Sequence, residues 1–174
     1  MNSNPHKSLG KWMTVGAWII ALVFLTLFFD KELEQMRNPN QHIDSMIIEG
    51  EVREIVLQRN RGGHYLATGR INGEKVEFLL DTGASDVAIP QGLARRLGLK
   101  PGPVIHYRTA NGVVQGNRTE IAKVELGDII LNNVTGGINP GMHGEQVLLG
   151  MSFLKHIEFI QRGNTLTIRQ RIND

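Results

Sequence analysis

The chain has 174 residues and a formal net charge of +2, enough for one domain with a substantial core and a short additional segment. It contains no cysteine, which excludes disulfide scaffolds, thiol nucleophiles and cysteine-ligated metals. Of its basic residues only Lys7 and Lys11 precede Asp30, and the rest of the chain carries 17 basic and 17 acidic residues, so nothing indicates a nucleic-acid partner.

Residues 12–29, "WMTVGAWIIALVFLTLFF", contain no charged side chain. A helix of this length just crosses the hydrocarbon core of a bilayer, and aromatic residues at its ends favour the interface. The run therefore predicts a transmembrane anchor that follows a short tail, residues 1–11. A cleavable signal peptide and a buried core helix are the alternatives; Leu27-Phe28-Phe29-Asp30 is a poor cleavage site, and a core helix rarely lacks any polar face.

Charged residues flank this run on both sides, and those directly before it are all basic. Lys7 and Lys11 precede it, whereas Asp30, Lys31 and Glu32 follow it directly. The bias of Lys and Arg towards the cytoplasmic side predicts a cytoplasmic N-terminus and a C-terminal domain outside the cytoplasm.

The remainder of the chain divides into a linker and a β-rich domain. Residues 30–45 are polar and contain Asn38-Pro39-Asn40, which indicates a linker. From residue 46 to about 171, short β-type runs alternate with turn signals. Asn72-Gly73 between "HYLATGRI" and "EKVEFLL" is the strongest hairpin signal, and Gly127-Asp128 and Gly163-Asn164 indicate two more.

Only two short segments of the domain resemble helices. "QGLARRLGL" at 91–99 ends at Gly98 and Pro101, and a single helical turn is predicted over 152–155. The chain has 20 glycines, most of them in this segment, and together with the many short strands they predict an all-β fold, a small closed barrel or sandwich.

The stretch "FLLDTGASDVAIP", residues 78–90, places one aspartate at the end of an apolar strand. A lone Asp before Thr-Gly is usually a turn residue. Here the sheet fixes the backbone of Asp81, Gly83 permits another chain or a ligand to approach closely, and Thr82 supplies a stiff hydroxyl-bearing side chain.

Two further stretches follow in a fixed order. "VIHYRTANGVVQG" at 104–116 is a hairpin candidate, and "QVLLGMSFL" at 146–154 is an apolar strand that runs into Gly150. Asp-Thr-Gly-Ala-Ser, then a hairpin, then hydrophobic-hydrophobic-Gly resembles the retropepsin-like aspartic peptidases. "TANG", "GMSFL" and the N-terminal apolar run are similar to their bacterial, single-domain, membrane-anchored branch, and the resemblance covers about residues 46–171.

The resemblance implies an endopeptidase that hydrolyses peptide bonds in peptide or protein substrates. Two aspartates share a proton and hold a water; one carboxylate takes a proton from the water as it attacks, and the other donates to the carbonyl oxygen. The chain has only one Asp-Thr-Gly, at Asp81, so a homodimer would supply the second. The implied location is the bacterial inner membrane, with the catalytic domain in the periplasm.

The resemblance also assigns roles to neighbouring residues. Thr82 would lock the two catalytic loops across the dimer axis, with Gly83 supporting the loop, and Gly150 would be the glycine of the second loop. The implied substrate-contacting residues are those of the catalytic loop, the flap hairpin and the second strand: Gly83, Ala84, Ser85, Arg108, Thr109, Ala110, Asn111, Gly112, Val113 and Leu149.

The chain departs from the viral members at two positions. Ser85 stands where many of them carry Asp, and Met151 where they often carry Arg, so the intersubunit ion pair of the viral enzymes cannot form. The alternative function is a tethered peptide-binding β-domain without activity; a structural β-module is a third possibility. No cofactor is implied, and the six histidines show no metal-ligand spacing, so no metal site is predicted.

Overall fold

A computed structural model describes residues 5–48, 50–109 and 112–172. The N-terminal unit, Met1–Met36, is separate from a compact unit, Arg37–Asp174. The helices are α1 (Pro5–Arg37), α2 (Gln91–Arg96) and α3 (Met151–Leu154). The strands are β1 (Ser45–Ile48), β2 (Val52–Gln58), β3 (Leu66–Ile71), β4 (Glu74–Leu80), β5 (Val87–Pro90), β6 (Val104–Thr109), β7 (Gly112–Leu126), β8 (Ile129–Asn139), β9 (Gln146–Leu149), β10 (Glu158–Arg162) and β11 (Thr165–Arg171).

α1 contains the long apolar run seen in the sequence. Among the described residues its Gly10–Arg37 part is the one helix long and apolar enough to cross a membrane. A signal sequence near an N-terminus also meets these criteria of length and hydropathy.

The compact unit consists of two sheets. A four-stranded sheet has the order β1-β2-β11-β10, and a seven-stranded sheet has the order β3-β4-β9-β5-β8-β7-β6. β3 also pairs with β7, through Arg70 opposite Glu125 and Ile71 opposite Val124, so the larger sheet closes on itself. The predicted all-β fold, a small closed barrel or sandwich with short helices, is confirmed.

The alternation of apolar and polar residues explains how these strands build the core. Ile55 and Leu57 of β2 and Ile168 of β11 are fully buried, as are Phe78 of β4 and Ile121 of β7. Successive strand side chains point to opposite faces, so residues two apart enter the same core. The predicted hairpins at Asn72-Gly73, Gly127-Asp128 and Gly163-Asn164 connect β3 to β4, β7 to β8, and β10 to β11.

The segment predicted as a polar linker over 30–45 differs in the structure. α1 continues to Arg37, and Asn38 and Asn40 are buried within the compact unit. Arg37 makes two hydrogen bonds to the Glu77 carboxylate, at 2.8 and 2.9 Å. The polar side chains that suggested a linker instead form hydrogen bonds within the compact unit. Hydrophobic side chains could not pair with the backbone groups there.

Asn40 makes the most extensive of these contacts. Its Nδ2 donates to the carbonyls of Gln58 (2.9 Å) and Leu66 (2.6 Å), and its Oδ1 accepts from the Gln58 amide at 2.6 Å. Its own carbonyl accepts from the Thr68 amide at 3.0 Å. One side chain therefore joins β2 to β3 on this side of the unit.

Replacing Asn40 with Ala is expected to lower the free energy of unfolding by about 2–3 kcal/mol, because the buried carbonyl of Leu66 and the part-buried amide and carbonyl of Gln58 lose their partner. Urea unfolding of the compact unit measures this change. Asn132→Ala, at an exposed position, is the control and is expected to change it by less than about 0.5 kcal/mol. Equal stabilities of the two variants would contradict the role given to Asn40.

Candidate active site

The site is formed where three strands of the larger sheet meet. β9 lies between β4 and β5: it runs parallel to β4, with Leu80 opposite Leu149, and antiparallel to β5, with Ala88 opposite Leu148. Parallel strands in register end at the same edge of a sheet. Asp81, directly after β4, and Gly150, directly after β9, are therefore adjacent although 69 positions separate them in the sequence.

The loop after β4 is held by hydrogen bonds within itself and to β9. The Asp81 amide donates to the Leu149 carbonyl at 3.2 Å, and the Ala84 amide donates to the Asp81 carbonyl at 3.2 Å. The Gly83 amide donates to Oδ1 of the Asp81 carboxylate at 2.9 Å. The half-buried carboxylate is thus oriented by its own loop, at the end of a strand whose preceding residues pack into the core.

The turn after β9 is joined to the same loop. The Met151 amide donates to the Ala84 carbonyl at 2.8 Å, and the Ser152 amide donates to the Ser85 carbonyl at 2.9 Å. A Cβ atom at position 150 would lie 2.6 Å from the Ala84 oxygen and would overlap the Asp86 oxygen. Only glycine permits this approach, which explains the residue type at the end of β9.

Ser152 connects the two loops to the neighbouring strand, a role that was not predicted from the sequence. Its hydroxyl accepts from the Val87 amide at 3.0 Å and donates to the Thr135 carbonyl at 2.7 Å. The side chain therefore spans from the start of β5 to β8. A serine two positions after the glycine that follows β9 carries no signal of this contact, because Thr135 is remote in sequence.

The residues predicted around the aspartate lie in three different settings. Thr82, Gly83 and Ser85 are exposed, and Ala84 is half-buried. The Leu149 side chain is fully buried in the core, which differs from its predicted contact with substrate: alternation along β9 directs it inward, and its carbonyl pairs with Asp81.

The predicted hairpin is present as β6 and β7, which pair from Val104 opposite Asn117 to Thr109 opposite Gly112. Arg108 and Thr109 end β6, and Gly112 and Val113 begin β7, with Val113 67% exposed. Ala110 and Asn111, also predicted to contact substrate, lie outside the described residues. The role of this hairpin over a substrate remains a prediction.

A metal centre finds no support in the part of the chain that the structure describes. Within residues 5–48, 50–109 and 112–172, no three His, Asp or Glu side chains come together in a way that could hold a metal ion. At this edge the two loops place the Asp81 carboxylate among backbone amides and small residues.

Comparison with known proteins places this arrangement in a family. Residues 67–156, which include both loops, the hairpin and the strands between them, match the family described as "gag-polyprotein putative aspartyl protease". A solved structure of a retropepsin-like aspartic protease from Rickettsia conorii is 30% identical, with a TM-score of 0.59, and the match covers 75% of this chain and 96% of that chain.

Two curated relatives are also similar. An uncharacterized protein encoded in the cobV 5' region of Sinorhizobium sp. is 34% identical over 125 residues, 70% of this chain and 53% of the relative. An uncharacterized protein of Rickettsia prowazekii (strain Madrid E) is 31% identical over 115 residues, 62% of this chain and 47% of the relative. The chain spans about half the length of the curated relatives it matches.

Proposed function

Because this chain belongs to the retropepsin-like aspartic proteases, we propose that it is an aspartic endopeptidase in which Asp81 is the catalytic residue. The observation that carries the proposal is the position of Asp81. It directly follows β4, its carboxylate is oriented by the Gly83 amide, and it lies beside the Gly150 turn. The matched segment, residues 67–156, includes all of these parts.

The proposed reaction needs two carboxylates and one water. Close like charges cannot both ionise, so the pair holds one proton. The ionised carboxylate takes a proton from the water as the water oxygen attacks the peptide carbonyl carbon, while the protonated carboxyl donates a hydrogen bond to the carbonyl oxygen. The tetrahedral adduct then collapses with transfer of a proton to the leaving amine. No covalent enzyme intermediate is required.

One chain supplies one such aspartate. Asp86 follows in the same loop and Asp128 lies in the turn between β7 and β8, so neither occupies the end of a strand beside a second glycine loop. We therefore propose a homodimer in which Asp81 of each copy contributes one carboxylate. The exposed Thr82 and Gly83 suit a contact between the two loops across the dimer axis.

The proposed substrate is an extended peptide. Ser85 is exposed beside half-buried Ala84, and Gly112 and Val113 are exposed at the start of β7. We propose that the peptide lies in a groove between these two segments, which present accessible backbone and small side chains. Extended peptides commonly bind such surfaces through main-chain hydrogen bonds, with side chains received by pockets.

We propose that residues 12–29 anchor the enzyme in a bacterial inner membrane, with the N-terminus in the cytoplasm and the catalytic domain in the periplasm. The uncharged run within α1 and the position of Lys7 and Lys11 before it support this. Confinement in a membrane also raises the effective concentration of one copy around another, which favours dimers.

Expression of the full chain with a C-terminal reporter that is active only after export is expected to give an active reporter in the membrane fraction. The protein should retain its N-terminal residues, as shown by intact mass, because an anchor is not removed. A matched variant with Ile20→Arg and Leu25→Arg should lose membrane association, since each charge near the centre of the span costs about 2.5–3.5 kcal/mol. A shortened, released wild-type protein would instead identify a signal sequence.

The activity itself is tested with the purified compact unit and a peptide library, with new termini identified by mass spectrometry. Cleavage within extended peptides that is absent from the Asp81→Asn protein is the expected result. Binding of peptides without any cleavage by the wild type would favour the peptide-binding domain instead.

A further inference from the structure

Tyr107 reaches from the hairpin across the sheet towards the catalytic loop. It lies on β6 opposite Val114 of β7. A Cβ atom at Gly116 would lie 3.2 Å from the Tyr107 ring, and a Cβ at Gly137 of β8 would overlap the Tyr107 hydroxyl. Gly116 on β7 and Gly137 on β8 thus leave the space that the Tyr107 side chain occupies. A side chain at either glycine would crowd it.

The hydroxyl ends beside the residue that joins the catalytic loop to β5. It is 3.4 Å from Oδ2 of Asp86, which directly follows Ser85, and both side chains are half-buried. The Asp86 carbonyl lies against Gly150, and Val87, the next residue, is fully buried. The backbone of its two neighbours, Ser85 and Val87, is hydrogen-bonded to Ser152 of the second loop.

The electrostatics of the contact favour donation by the phenol. Burial, and then the negative Asp86 carboxylate, raise the pKa of the Tyr107 hydroxyl to about 12, although Arg118 acts in the opposite direction. At neutral pH the phenol consequently stays protonated and donates to the carboxylate, in a long hydrogen bond of 3.4 Å between the two oxygens.

We propose that Tyr107 is a positioning residue that holds the stem of the β6–β7 hairpin on the catalytic loop through the Asp86 carboxylate. The proposal deepens the proposed function and rests on it for its effect on catalysis. In this role the hydroxyl contributes more than the packing of the ring does. It fixes the distance between the hairpin stem and the loop that carries Asp81, and this distance sets the height of the proposed groove between them.

The other tyrosine provides a matched control. The hydroxyl of Tyr65 is buried, and no hydrogen-bond partner for it exists among the described residues. Tyr65→Phe and Tyr107→Phe remove the same atom, from a buried ring and from a half-buried ring. Only the second change breaks a contact between the hairpin and the catalytic loop.

Kinetics of four variants test the proposal. Tyr107→Phe is expected to raise KM by about fivefold, the typical effect of one lost hydrogen bond, with kcat within about twofold, since the groove binds ground state and transition state alike. Asp86→Ala should raise KM at least as much, the double variant should be no worse than Asp86→Ala, and Tyr65→Phe should match the wild type. Additive effects in the double variant, or an unchanged KM in Tyr107→Phe, would overturn the proposal.

Two readouts do not depend on activity and are made in the Asp81→Asn background. Tyr107→Phe should increase amide hydrogen exchange in 104–109 and 112–118, whereas Tyr65→Phe should leave these strands unchanged. Because the chain has only two tyrosines, Tyr65→Phe leaves Tyr107 as the sole phenol, and its ultraviolet titration should move to lower pH on Asp86→Asn.

These readouts separate the proposal from the proposed function. A wild type that cleaves no peptide would refute the protease, while exchange and titration would still decide whether the hydroxyl holds the hairpin. Faster exchange together with an unchanged KM in an active enzyme would show a structural contact only and would overturn the positioning role. If the titration of Tyr107 did not shift on Asp86→Asn, the two side chains would be shown not to interact.

Discussion

The Asp81→Asn protein is expected to fold as the wild type does and to hydrolyse peptides at least about 10³-fold more slowly. The amide oxygen of Asn can still accept the hydrogen bond that the Gly83 amide donates to Asp81 Oδ1 at 2.9 Å, so the loop keeps its shape. What is lost is the carboxylate that takes the proton from water, and general acid–base catalysis alone is commonly worth about 10²–10⁴-fold. The thermal midpoint should stay near or above that of the wild type, because two facing carboxylates repel each other.

The measurement compares kcat/KM on a cleaved peptide with the thermal midpoint of the same preparation. Asp128→Asn, at an exposed turn outside the site, is the matched control and should retain full activity. A highly purified Asp81→Asn protein with the wild-type rate would remove Asp81 from the mechanism.

Gly150→Ala is expected to have the second large effect, on the fold of the site as well as on activity. The added Cβ atom would lie 2.6 Å from the Ala84 carbonyl oxygen and would overlap that of Asp86. The Ala84 oxygen accepts from the Met151 amide, and the backbone on both sides of Asp86 is hydrogen-bonded to Ser152, so neither oxygen can move freely. Relief requires that the two loops separate, and we expect a loss of about 3 kcal/mol or more in stability together with loss of proteolysis.

Chemical unfolding and peptide hydrolysis measure these two consequences. Gly92→Ala provides the control, because a Cβ at position 92 of α2 meets no atom within 4 Å. In a helix this exchange is expected to stabilise the protein by about 0.5–1 kcal/mol. A Gly150→Ala protein as stable and as active as Gly92→Ala would contradict the described contact between the loops.

Local patterns predicted the strands and turns of this domain well. Asn-Gly between two alternating apolar runs predicts the β3–β4 hairpin because the turn geometry depends on those two residues alone. The position of Asp81 at a strand end follows from the apolar run before it, and α2 follows from its own stop signals. Such features depend on neighbours in sequence, which a single chain displays directly.

Contacts between remote segments could not be predicted in the same way. The insertion of β9 between β4 and β5, which brings Gly150 to Asp81, is a property of strand pairing rather than of any one strand. Asn40 lies in a segment whose polar composition is typical of a linker. It is nevertheless buried, because its side-chain amide forms hydrogen bonds with two backbone segments. The place of Leu149 in the motif predicts a contact with substrate, but alternation along its strand directs the side chain into the core.

The most direct test of the central claim, that two copies of Asp81 form one active site, mixes wild-type domain with a tenfold excess of Asp81→Asn domain. Random pairing would leave about one tenth of the wild-type chains in fully active dimers, and activity per wild-type chain should fall accordingly. An equal excess of an inert protein is the control and should have no effect. Activity per wild-type chain that is unchanged by the excess of mutant, and equally unchanged on dilution, would mean that one chain suffices and would contradict the shared dyad.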